Sequence, residues 1–180
     1  MALDENLAAV APFAEDITYP VLVDTEHQMS ELYAITNVPT VVWIDEDDRI
    51  VRPNASEFGS DMFTGFTGIH CEDHMEQVRA WVRDGSVPDD AGYEVPDLDD
   101  GEVAARLHFR LATHARRAGM AEVAEQHFDQ AVALAPHDFT IVRAAMPLTG
   151  VDPFGPAFFE LYGVFEAAGS PYRGIRRPRT

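Results

Sequence analysis

Up to residue 85 the apolar positions of this chain alternate between helical spacing and short unbroken runs, and beyond residue 101 only helical spacing remains. Residues 5–15 (ENLAAVAPFAE) place Leu7, Val10 and Ala11 at helical spacing, with Asp4 as the expected N-cap. PVLVD (20–24) predicts a short strand, and TEHQMSELYAI after it predicts a helix in which Met29, Leu32 and Tyr33 share a face. VVWID and RIVRP predict two strands around an acidic turn. The stretch EDHMEQVRAWVRDG predicts a closing amphipathic helix with Met75, Val78, Trp81 and Val82 as its core stripe, and Gly85 suits a left-handed C-cap. The order helix, strand, helix, strand, strand, helix predicts an α/β domain over residues 1–85 with a hairpin at one side.

Residues 86–101 are acidic, rich in Pro and Gly, and without periodicity, which reads as a linker. A helical domain is expected over 102–170. EVAARLHFRLATHARRAG ends in Gly119, MAEVAEQHFDQAVALAP ends in Pro136, and HDFTIVRAAM and GPAFFELYGVFEAAG follow. Residues 171–180 form a basic tail, and short terminal Arg clusters of that kind are usually solvated.

Charge narrows the function classes. The formal net charge of −18 is carried by residues 1–100, where twenty-three acids face four Arg, while residues 101–180 hold nine Arg against eight acids. An acidic half repels phosphate backbones, so no nucleic-acid partner is expected. No apolar run is long enough to span a membrane. LAAVAPFA follows Asp4 and Glu5 rather than a basic segment and contains Pro12, which makes a poor signal peptide, so the expected location is cytoplasmic. All thirteen basic residues are Arg.

The single cysteine, Cys71, excludes an internal disulfide and a Cys-x-x-Cys centre within these residues. His70 and His74 flank it, but one Cys with two nearby His falls short of a metal-ligand set, and Cys71 reads as a structural thiol. The acidic turn Asp45–Asp48 lacks the length and central Gly of a calcium loop. Trp43 and Trp81 read as core residues of their strand and helix.

Pro39 stands at the first position of the strand VVWID, where a missing N–H costs the ladder nothing. The stretch around it, YPVLVDTEHQMSELYAITNVPTVVWIDEDDRIVRP, resembles the second half of a thioredoxin-like domain, nearest the ResA/TlpA-type thiol-disulfide oxidoreductases and their peroxiredoxin relatives. The resemblance covers about a fifth of the chain and rests on Val-Pro-Thr followed by the Ile-Asp hairpin. It implies a cis bond before Pro39 and a substrate-facing backbone at Val38, the two residues expected to bind substrate. Asp48 stands where the family's turn usually has Gly, and Asp tolerates the positive φ required there. In the family, a central strand and a helix bearing Cys-x-x-Cys or a Sec variant come before this region. The expectation is therefore an incomplete thioredoxin-like fold, a Met1 that marks a truncated or mis-assigned start, and a free edge at Val41–Ile44.

In the second half Leu111, Gly119, Ala124, Phe128, Ala131 and Pro136 resemble the spacing of one tetratricopeptide repeat, with residues 158–165 expected to cover its open face. This part is expected to be an all-α, tetratricopeptide-like domain. By resemblance the function class is thiol-disulfide oxidoreductase. By its own residues the 180-residue chain is expected to be redox-inactive, with no catalytic residue, metal or cofactor. The competing reading is a non-catalytic interaction module that recruits a protein partner through its helices, with a homo-oligomer as a further state.

Overall fold

The computed structural model describes residues 1–3, 7–57 and 59–175. It falls into two compact units: residues 1–36 together with 98–171, and residues 37–97 together with 172–180. The expected boundary at residue 85 lies inside the second of these.

The first unit is helical. It contains α1 (Leu7–Ala14), α2 (Gln28–Leu32), α5 (Asp100–Arg117), α6 (Ala121–Leu134), α7 (Val142–Leu148) and α8 (Pro156–Ala167). Helix α5 starts on a capping box, Asp99 accepting from the Glu102 N–H and Glu102 accepting from the Asp99 N–H, both at 2.8 Å. Gly119 (φ 76°) turns the chain into α6. Ala112, Ala115, Ala124 and Ala131 let α5 and α6 approach closely, and Phe109 meets Phe128 edge to face at 5.8 Å. Ile141 and Ala145 continue this core. Leu111, expected inside, is half exposed, and Ala112 takes the buried position. Phe165 of α8 meets Phe139 edge to face at 4.8 Å.

The earlier segment differs from expectation in its buried faces. The predicted strand at 20–24 is a single parallel bridge, Ala2 to Val23. Helix α2 is one short turn whose first N–H groups, on Gln28, Met29 and Ser30, donate to the Asp24 carboxylate at 2.8–3.2 Å. His27, Ser30, Ala34 and Ile35 are buried, while Met29 and Leu32 are exposed. The reason is polar: Arg110 donates to the carbonyls of Glu26 and His27 and to the Glu31 carboxylate, which fixes the opposite side of the segment inward. In α1 only Val10 is buried and Leu7 is exposed. The expected cap Asp4 lies outside the described residues.

The second unit is built on an antiparallel hairpin, β1 (Val41–Ile44) and β2 (Ile50–Ala55). Asp48 holds the turn at φ 60°. The register is irregular, with Trp43 opposite Arg52 and Ile44 opposite Ile50. Among the described residues β2 is the one strand paired with β1. A short turn, α3 (Thr64–Thr67), precedes α4 (Cys71–Asp84), which Gly85 ends at φ 76°. Val82 is exposed and His74 is buried in its place. The chain returns at Ile175, which donates from its N–H to the Asn54 carbonyl at 2.6 Å and accepts from Ser56 N–H at 3.2 Å. Gly174 is required there: at φ 150° a Cβ would collide with the Asn54 carbonyl oxygen. No helix among the described residues is long and apolar enough to cross a membrane.

Candidate functional site

The resemblance points first to the head of β1. The Val38–Pro39 bond is cis, and both residues are exposed. Thr40 follows with a half-buried hydroxyl, which donates to the Asn37 carbonyl at 2.7 Å and lies 3.0 Å from the Tyr172 hydroxyl. Behind this edge β1 is fixed by Trp43, which is buried and stacks on Trp81 of α4 with centroids 5.1 Å apart. The Arg52 guanidinium lies 5.3 Å from the Trp43 ring centre. It is fully buried, paired to Glu57 at 3.1 Å and to Asp90 at 2.9 Å. His74 adds its ring to Trp43 and its Nδ1 stands 3.9 Å from Glu57. The result is a strand packed from behind, preceded by two exposed residues.

Cys71 has different neighbours. It opens α4, and its N–H donates to Asp61 at 2.8 Å. That bond holds the Asp61 carboxyl below its usual range. Partial burial and the Asp61 carboxylate push the Cys71 thiol up, away from thiolate. The three residues weighed together as a ligand set do not converge. His70 is exposed beside Asp61 at 3.6 Å, while His74 is buried against Trp43 and Glu57. Among the described residues no group of three or more His, Cys, Asp or Glu is placed to hold a metal ion.

The helical unit holds two features that sequence patterns did not isolate. One is a buried ion pair, Arg106 to Asp138 at 2.7 Å, with Arg106 also donating to the Ile35 carbonyl at 2.8 Å. Thr140 donates to Asp138 through its hydroxyl at 2.6 Å and its N–H at 2.9 Å. Burial still pushes the Asp138 carboxyl up. A signal was present, because Arg106 falls on the same stripe as Ala105, Phe109 and Ala112, where an unpaired charge would not survive. The other is an apolar groove of about 420 Å³ between α6, α7 and the start of α8. No pattern of spacing announces it.

No family model matches the chain, and neither a curated protein nor a solved structure does.

Proposed function

We propose that this protein is a thioredoxin-like, cytoplasmic polypeptide binder that carries out no thiol-disulfide exchange in its 180-residue form. The observation that carries the reading is the solvent-facing Val38–Pro39 step just ahead of a strand held from behind by Trp43, Trp81 and Arg52. An extended polypeptide laid along that step meets a fixed backbone, so little ordering is required of the protein. Exchange needs an attacking thiolate and a second thiol to resolve the mixed disulfide. The chain has one cysteine, and its surroundings disfavour the thiolate.

The test is insulin reduction with dithiothreitol. The rate should equal the background without protein, and the Cys71→Ser chain should behave identically. Turnover that Cys71→Ser abolishes overturns the redox-inactive reading. Binding is tested separately with an unfolded polypeptide, which should bind more weakly to Val38→Asp than to the parent chain.

A second reading is favoured by the groove beside α6. The helical unit recruits a protein partner there, independently of Val38 and Pro39.

A further inference from the structure

We propose that the groove between α6, α7 and the start of α8 binds a cationic amphipathic helix of a partner protein. This rests on the second reading above and names the partner's chemistry.

The floor is apolar, formed by Val132, Val142, Ala145, Met146 and Val151. Thr149, the one hydroxyl on the wall, donates back to its own helix at the Ala145 and Met146 carbonyls, 3.0 and 3.1 Å away. An occupant therefore meets hydrocarbon rather than hydrogen-bonding groups. Benzene fits an engineered cavity of about 150 Å³. A groove of about 420 Å³ thus has room for two or three apolar side chains.

The main chain at the rim is also engaged. The N–H groups of Thr149, Gly150 and Val151 donate to the carbonyls of Ala145, Pro147 and Met146. An extended peptide would find no ladder to join and would bury its own amides unpaired. A helix satisfies its backbone internally and offers anchors at i, i+3 or i+4, and i+7. The geometry selects a helix.

Charge selects its sign. Asp129 lines the groove, and Glu125 and Glu122 continue the same exposed face of α6. Nearby Arg143 is held over Phe154 and Phe158 at 4.5 and 5.1 Å, and donates to the Pro153 carbonyl. Of the four Arg of α5, three are engaged by carboxylates: Arg106 by Asp138, Arg110 by Glu31 and Arg117 by Glu26. A second copy of the chain, at net −18, would be repelled.

The experiment uses the full chain and three fluorescent peptides of about 18 residues with the same helical Leu stripe. Their polar faces are Lys, Gln and Glu. A fourth peptide scrambles the Lys version so that it keeps the charge without the stripe. Only the Lys amphipath should bind tightly by anisotropy. Ala133→Trp, at an exposed wall position, should weaken it about tenfold, the effect of blocking a central anchor. Asp129→Arg should weaken it about threefold at low salt and less at high salt. Circular dichroism checks that both variants keep their helices. Equal binding of the Gln or Glu amphipath, blocked by Ala133→Trp, overturns the cationic partner while the groove stands as a docking site. Equal binding of the scrambled peptide, or insensitivity to Ala133→Trp, overturns the groove and leaves only an acidic surface. Failure of every amphipath removes the second reading as well. Sedimentation showing a dimer that Ala133→Trp dissociates would replace the partner by a second copy.

Discussion

Replacing Arg106 by Met is the perturbation that tests the helical unit most directly. It removes a fully buried cation and leaves Asp138, itself buried, without its 2.7 Å partner. Breaking a buried pair from one side costs about 3–5 kcal/mol, because the remaining charge stays desolvated. The Ile35 carbonyl loses a 2.8 Å donor at the same time, which adds about 1 kcal/mol. Domains are stable by only about 5–15 kcal/mol, so the loss should be plain in urea unfolding followed by far-UV circular dichroism. Two controls give the result its meaning. The first is pH. Asp138 is a carboxyl whose folded pKa is raised by burial, so the folded state binds its proton more tightly than the unfolded state does. The stability it supplies therefore falls as pH rises from the unfolded pKa to the folded one. Without Arg106 that rise is larger, and the deficit relative to the parent should shrink as pH falls toward the ordinary carboxyl range and Asp138 is neutralised. The second is Arg106→Met with Asp138→Leu, which removes both charges and should recover most of the loss. A deficit below about 1 kcal/mol, or one that the double change fails to reduce, refutes the reasoning.

Three further outcomes are expected. Burial lowers His27 to about 4, so the parent should lose stability as pH falls from about 6.5 to 4, by at most about 3 kcal/mol; His27→Asn, which tolerates φ 53°, should flatten that loss in denaturation curves. Asp99→Ala removes half of the α5 capping box and should cost about 1 kcal/mol in thermal unfolding. Gly174→Ala forces a Cβ into the Asn54 carbonyl and should destabilise the second unit by about 1–3 kcal/mol, read from Trp43 and Trp81 fluorescence.

What the sequence revealed and concealed divides along physical lines. The hairpin was legible because Val41–Ile44 is an unbroken apolar run next to residues that tolerate a tight turn. The ends of α4 and α5 were legible because Gly85 and Gly119 supply positive φ. Three buried faces were misread, each because something outside the helix decides its orientation. Arg110 and Asp24 turn Leu32 outward, the Trp43–Trp81 stack turns His74 inward instead of Val82, and close helix approach favours Ala112 over Leu111. The ionic centres were hidden because Arg52 meets Asp90, and Arg106 meets Asp138, only after the chain has folded. Val38 and Pro39 were singled out by motif, whereas the groove exists only as the space left between three helices.

The division of the chain into units has a consequence for how it is made. The first unit needs residues 1–36 and 98–171, and the second needs 37–97 together with the return segment at Ile175. A ribosome delivers the chain from the N-terminus, so residues 1–36 emerge first and must wait for most of their partners until α5 to α8 have been synthesised. The hairpin and α4 emerge earlier as a contiguous stretch, yet their last bridge, Ala55 to Ile175, arrives only near the end. Until α5 to α8 have been made, the residues of this segment that the fold buries, Val10, Ala34 and Ile35 among them, stay uncovered. A pause before α5, or a chain released there, would hold both units unfinished and present that surface to chaperones.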